Sequence, residues 1–159
     1  MQLKQIGVIH TPYRSVKDMP IQPAGAGPAA GSIELNVELA EGLKDLAGFS
    51  HILVIYGFHR VAGSCLTVTP FLDQAPHGIF ATRAPTRPNP LGLSLLQLVR
   101  IAGTTLQVAS VDMLDGTPLF DIKPYVPAFD QPVGAVRTGW LETSAGRVAT
   151  VRSDERFSR

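Results

Sequence analysis

The sequence predicts a mainly β fold, a small antiparallel β-barrel with one or two short helices and long site loops. Ser32–Glu38 and Thr105–Met113 alternate apolar and polar residues, the period-2 pattern of strands with one buried face. His51–Phe58 is a continuous apolar run of strand length, as a buried strand requires. The third observation is punctuation: 15 Gly and 13 Pro among 159 residues break the chain at short intervals, too often for a helical bundle.

Taken in order, Leu3–Ile9 alternates toward its end and stops at Thr11-Pro12, which suits a first strand. Met19–Gly31 contains Pro20, Pro23, Pro28, Gly25, Gly27 and Gly31, so a mobile loop without regular structure is expected. Structureless loops of such length inside a compact domain are usually functional or disordered. In Ser32–Glu38, Ile33, Leu35 and Val37 share one face, and Glu34, Asn36 and Glu38 the other. Leu39, Leu43 and Leu46 then recur at helical spacing, predicting one short helix that ends at Gly48 in a left-handed cap. The His51–Phe58 strand runs into His59-Arg60 and so delivers two polar side chains to its end.

Cys65–Thr69 and Gly78–Arg83 read as further strands. Leu91–Ile101 is open between strand and helix, because Leu91, Leu93 and Leu95 alternate while no turn residue interrupts a helix. Gly103-Thr104 predicts a hairpin turn into Thr105–Met113, and Asp115-Gly116 a second tight turn, since both residues tolerate positive φ. A last strand is expected around Trp140, with the polar tail fraying beyond it.

The chain is of single-domain length, and its 45% hydrophobic residues and mean hydropathy of +0.15 exclude a wholly disordered protein. Cys65 is the one cysteine, so no intramolecular disulfide exists; within an apolar strand it is expected to be a small core residue. No apolar segment reaches the roughly 18 residues that span a bilayer, and Met1-Gln-Leu-Lys-Gln-Ile lacks a secretory pattern. A cytoplasmic protein with no membrane partner is therefore expected. Net charge is +1, with 9 basic and 10 acidic residues over 1–132 and 5 against 3 over 133–159, a balance that neither requires nor forbids nucleic acid.

Three stretches concentrate polar groups on stiff backbone: Phe80–Ser94, Asp112–Pro118 and Asp121–Tyr125. Pro85, Pro88 and Pro90 restrict the first, so Arg83, Arg87 and Asn89 lose little entropy on binding a ligand. The plainer alternative is that Arg83 pairs with Asp112, Asp115 or Asp121 to hold the loop down. His51 and His59, eight residues apart on one strand, would stand about 25 Å from each other, too far to share an ion, so no metal site is expected. No Gly-x-Gly-x-x-Gly follows a strand, no Walker lysine occurs, and Ser94 lacks the second glycine of a nucleophile elbow.

Ile6–Tyr13, Met19–Gln22, Leu43–His51, Phe80–Ser94 and Asp112–Pro118 with Asp121–Tyr125 together resemble the TsaA-like (TrmO) family, in that family's order along the chain. The resemblance implies a TsaA-like β-barrel domain over 1–132 and a short C-terminal extension over 133–159. It implies a homodimeric S-adenosylmethionine-dependent tRNA methyltransferase that holds its cofactor in loops at the barrel mouth. The implied reaction is methylation of N6 of threonylcarbamoyladenosine beside the anticodon, in the anticodon loop of tRNA.

Carried onto this sequence, the implied cofactor contacts are Pro20, Ile21, Gln22, His59, Arg60, Arg83, Leu93, Met113, Leu114, Asp115 and Gly116. Apolar Leu93, Met113 and Leu114 suit adenine, Arg83 or Arg60 a carboxylate, Asp115 ribose hydroxyls, and the Tyr125 face a sulfonium. Asp121 and His59 are the candidate catalytic bases, and Arg87 and Asn89 the candidate RNA contacts. Two other readings keep the cofactor: a regulatory module without catalysis, and a methyltransferase acting on a small metabolite.

Overall fold

The computed structural model describes residues 2–17 and 19–157; Met1, Asp18, Ser158 and Arg159, which fall within the two expected segments, lie outside the described residues. Alternation becomes curvature. The strands β1 (Gly7–His10), β2 (Ala30–Leu35), β3 (His51–Gly57), β6 (Leu91–Ala102), β7 (Thr105–Ala109) and β8 (Thr117–Pro124) close into an antiparallel barrel in the order β1-β2-β7-β6-β3-β8. Closure leaves no unpaired edge, which is how a short all-antiparallel sheet satisfies every strand. Between β3 and β6 the chain makes a long excursion that carries β4 (Thr67–Val68) and β5 (His77–Gly78), paired only with each other.

Every second residue of the barrel strands points inward. Ile33 and Leu35 on β2, Ile52, Val54 and Tyr56 on β3, Leu96 and Leu98 on β6, Leu106 and Val108 on β7, and Leu119 on β8 form one core with Ile9, Val111 and Met113. Leu91–Ala102 resolves as a strand because both its edges are paired, with β3 over Leu91–Gln97 and with β7 over Gln97–Ala102. An irregularity between Ile55 and Tyr56 lets β8 shift its face: Leu119 is inside, and two residues past the shifted Phe120 it is Ile122, not Asp121, that packs on the core.

Four local expectations are corrected. Residues around Leu39–Leu46 form no α-helix but two short 3₁₀ turns, Val37–Leu43 and Leu46–Gly48, because their one apolar stripe finds only partial cover, at Leu43 and Leu46. The left-handed residue there is Asp45 at φ 66°, not Gly48. Gly78–Arg83 is a strand only at Gly78; Ile79–Ala81 turns as a 3₁₀ segment that buries Ile79. Cys65–Thr69 pairs only at Thr67–Val68, which leaves Cys65 exposed and outside any core.

Met19–Gly31 and the C-terminal segment order one another. The loop holds a single helical turn, α1 (Pro23–Ala26), where Gly25 lies so close to the Val148 carbonyl that a Cβ would stand 2.5 Å from it. After the short α2 (Pro127–Asp130), the tail forms no strand near Trp140; it makes 3₁₀ turns at Gly139–Leu141, Ala145–Ala149 and Glu155–Phe157 and packs back as far as Phe157. Trp140 Nε1 donates to the Ala81 carbonyl at 2.8 Å, and its ring stacks on His77 at 4.5 Å. Ser153 Oγ accepts the Met19 N–H at 3.0 Å and donates to the Val16 carbonyl, while Pro20 bridges to Arg152. Phe157 joins a second small core of Val68, Ile79 and Ala84.

Candidate functional site

In an antiparallel barrel the end of β3, the start of β6 and the start of β8 lie at one mouth. Here that mouth opens into a cleft of about 840 Å³. Tyr56 and Phe58 come from β3 and its exit, Leu91–Leu93 from β6, Asp112–Leu114 from the connection after β7, and Thr117 from β8. The loops around 16–24 and 80–87 and the C-terminal segment, through Trp140, Leu141, Val148 and Phe157, complete the walls.

The floor is a chain of three buried polar groups. Ser94 Oγ donates to Asp112 Oδ1 at 2.7 Å. A serine has one proton to give, so the Tyr56 hydroxyl, 3.1 Å from Ser94 Oγ, donates to it. Burial raises the Asp112 carboxyl to about 6, with the Ser94 hydrogen bond, its own backbone and the Arg83 charge pulling the other way. Burial and the neighbouring Asp112 push the Tyr56 phenol far above its ordinary value, so it remains a hydrogen-bond donor. Gly92 faces Tyr56 across the β3–β6 ladder, and a Cβ there would run into the phenol ring. Only glycine lets the ring lie flat over the strand and bring its hydroxyl to Ser94.

The rim is cationic and partly apolar. Arg83 Nη1 donates to Gln22 Oε1 at 2.7 Å, which ties the loop at 80–87 to the loop at 16–24. Arg83 makes no ion pair with Asp112, Asp115 or Asp121, so it holds its loop through Gln22 and not through a carboxylate. Arg87 is instead the staple: Nη1 donates to the carbonyls of Ile79 and Thr82 at 3.1 and 2.9 Å, and its guanidinium stands 5.9 Å from the Phe80 ring centre. Phe80 is 77% exposed at the cleft edge. His59 Nδ1 stands 3.5 Å from Thr117 Oγ1; partial burial, then Arg60, hold its imidazole below the ordinary histidine value against a hydrogen bond to the Gly57 backbone.

The cleft thus collects Pro20, Ile21, Gln22, His59, Arg60, Arg83, Arg87, Leu93, Met113 and Leu114 of the residues singled out in the sequence. Asp115 and Gly116 form the adjoining turn and do not line it: Asp115 Oδ1 accepts from the Thr11 N–H and lies 3.2 Å from His10 Nδ1, and Gly116 has φ 77°. Asn89 is exposed beyond the rim, with its carbonyl accepting the Leu91 N–H at 2.8 Å. Asp121 is turned out of the barrel by the shift at Phe120 and pairs with Lys123 at 2.8 Å. Tyr125 accepts from Gln131 Nε2 and stands edge-on to His51, at the other end of β3.

Sequence reasoning missed Tyr56, Ser94 as a partner of Asp112, and every contribution of the C-terminal segment. The Gly92-x-Ser94 pair beside the alternating leucines was the available signal, since a polar residue on the inward face of a strand needs a partner. Among the described residues no group of three or more His, Cys, Asp and Glu is placed to hold a metal ion, and no helix is long and apolar enough to cross a membrane.

A family model for the tRNA-methyltransferase O N-terminal domain matches residues 8–131. A probable S-adenosyl-L-methionine-binding protein of Pyrococcus abyssi is 49% identical over 154 residues, covering 97% of this chain and 83% of that protein. The tRNA (adenine(37)-N6)-methyltransferase of Escherichia coli is 38% identical over 136 residues, 79% of this chain and 58% of its own length. The crystal structure of TrmO from Pseudomonas aeruginosa superposes with a TM-score of 0.73 at 35% identity, over 87% of this chain and 61% of that one. The chain therefore spans less than two thirds of the TrmO enzymes it matches. It belongs to the TrmO N-terminal domain family.

Proposed function

We propose that this member of the TrmO N-terminal domain family is an S-adenosylmethionine-dependent methyltransferase acting on N6 of the adenosine beside the tRNA anticodon, in its threonylcarbamoyl form. The observation that carries the reading is that loops far apart in sequence bring nine of the eleven residues expected to meet the cofactor into one cleft. Its volume of about 840 Å³ and mixed apolar and cationic lining fall within the usual range for small-molecule sites. The group fits: Leu93, Met113 and Leu114 offer apolar walls for adenine, and Arg83 and Arg60 offer cations for a carboxylate. Pro20, Ile21 and Gln22 cover them, fastened through Gln22 to Arg83.

When bound, S-adenosylmethionine supplies an electrophilic methyl group on a sulfonium. The work of the chain is positioning: it excludes water under the C-terminal segment and aligns the acceptor nitrogen in line with the methyl carbon. Arg87 and Asn89 face RNA from the stiff loop, Arg87 mainly by fixing that loop and Asn89 as an exposed amide. His59 stands at the cleft as a neutral imidazole able to accept a proton. Asp121, on the outer wall, suits an RNA or subunit contact better than a role at the methyl. The barrel over 1–132 carries the motifs, and the extension from 133 roofs them.

Incubation with labelled S-adenosylmethionine and unfractionated tRNA, followed by identification of the labelled nucleoside, tests the reading. Label in N6-methylated threonylcarbamoyladenosine is the expected result. Cofactor binding by calorimetry without transfer to any tRNA favours the regulatory module; label in a small metabolite favours the third reading. The homodimer is tested by sedimentation at micromolar concentration, where a species of only 17.0 kDa counts against it.

A further inference from the structure

We infer that Asp112, held at the cleft floor by Ser94 and Tyr56, is the group that accepts the proton released from N6 of the nucleobase as the methyl group arrives. This rests on the methyltransferase reading given above. In the transfer, N6 gains a bond to the methyl carbon and the carbon–sulfur bond breaks, leaving its electron pair on sulfur. The N6–H pair stays on nitrogen, and the proton passes to an Asp112 oxygen and later to water.

Three features of the geometry support the assignment. Among the described residues two carboxylates line the cleft, and the other, Asp154, is engaged by Arg156 Nη2 at 2.7 Å, whereas Asp112 has no ion pair there. Ser94 occupies Oδ1, which leaves Oδ2 without a side-chain partner among the described residues. The chain Tyr56 to Ser94 to Asp112 runs from β3 through β6 into the connection after β7, so the carboxylate is oriented by two barrel strands. Rigid elements place a reacting group more accurately than loops do.

The chemistry agrees. Moving a carboxylate from water into a buried site is costly, and a fold that keeps one there gains from its proton affinity. With a carboxyl value near 6, Asp112 is ionised at neutral pH yet a stronger base than an exposed aspartate. The titratable and charged groups acting on it are Tyr56 from β3 and Arg83 from the loop at 80–87; the phenol stays protonated and Arg83 favours the ionised form. His59, at the same mouth, is the competing acceptor and is included in the test.

The experiment uses the full chain and the variants Asp112→Asn, Ser94→Ala and His59→Ala. Each is measured for S-adenosylmethionine affinity by calorimetry and for single-turnover transfer to tRNA across pH. The Asp112 carboxyl is followed directly by carbon-13 NMR, with Asp112→Asn providing the assignment. Asp112→Asn is expected to keep cofactor affinity within about threefold while the transfer rate falls by about 100-fold or more. Wild-type transfer rises with pH through the Asp112 titration and then levels. Ser94→Ala moves both the NMR titration and that limb to higher pH, because the ionised form loses its donor.

Transfer by Asp112→Asn within threefold of wild type overturns the role. So does loss of rate together with cofactor affinity, which makes Asp112 a cofactor-holding group. His59→Ala abolishing the pH limb while Asp112→Asn keeps it also overturns the assignment. If Asp112→Asn does not fold, an unmoved limb in Ser94→Ala does so instead. A wild-type chain that transfers no methyl group overturns the functional reading itself, an outcome distinct from all of these.

Discussion

Ile52, Val54, Leu96 and Leu119 in the barrel wall expose nothing to solvent, and each strand there is paired on both sides. Trp140, Val148 and Phe157 in the cover over the cleft are half-buried, and that cover hangs on a few side-chain contacts: Trp140 to Ala81, Ser153 to Val16 and Met19, Arg83 to Gln22. One region is ordered by a dry core inside closed ladders, the other by scattered bonds and one small apolar cluster at Phe157. The difference suits the proposed function, in which the site admits a cofactor and a nucleic acid. A cleft walled entirely by barrel strands would have to break the core to open, whereas this one is walled in part by loops held through side-chain contacts.

The largest effect is expected in the wall. Leu119→Ala removes a fully buried side chain and should cost about 2–5 kcal/mol in urea unfolding. Next comes the buried carboxyl at the join between wall and cleft. Asp112 binds its proton more tightly folded than unfolded, so the native state holds more protons between its ordinary value and about 6. Stability therefore falls as pH rises through that window, by on the order of 3 kcal/mol. Asp112→Asn should flatten that dependence in pH-resolved denaturation; an unchanged slope would show that the carboxyl titrates normally.

Gly92→Ala forces the Tyr56 ring off the strand and should cost about 1–3 kcal/mol. In the cover, Trp140→Phe keeps a ring to stack on His77 but loses the bond to Ala81, an expected loss of about 1 kcal/mol. The sharpest probe of the contrast needs no substitution. Trp140 is the one tryptophan of the chain, so its emission reports the cover while far-ultraviolet circular dichroism reports the barrel. The emission change should come at lower urea; coincident transitions would make cover and wall one cooperative unit. Smallest is Asp154→Ala, which removes a half-exposed pair with Arg156 and should shift stability by about 0–1 kcal/mol.

Legibility in the sequence followed the same division. The alternating residues of β2 and β7 and the apolar run of β3 were readable because side-chain period and burial are local consequences of strand geometry. The Leu39–Leu46 stripe misled because helical spacing forms a helix only when a partner surface covers it, and here little does. Leu91–Ile101 was ambiguous until its neighbours were known. Of the site, Arg83, Arg87 and the loop glycines and prolines stood out, since stiff polar loops leave a mark in composition. Tyr56 and Ser94 did not, because they read as ordinary members of apolar runs.

Taken alone, the amino-acid sequence determined the barrel class, the strands that bury one face, the motifs of the family and the stiffness of the loop from Phe80 to Ser94. Those are properties of short stretches of chain, set by periodicity and backbone restriction. Only the tertiary structure decided that Tyr56 meets Ser94 and Asp112 across three elements, that a shift at Phe120 turns Asp121 away from the cleft, and that the tail roofs the cleft instead of fraying. The physical reason is register. Which residues face each other across a closed ladder, and which loops meet above its mouth, depends on all six strands closing at once, information that no segment carries by itself.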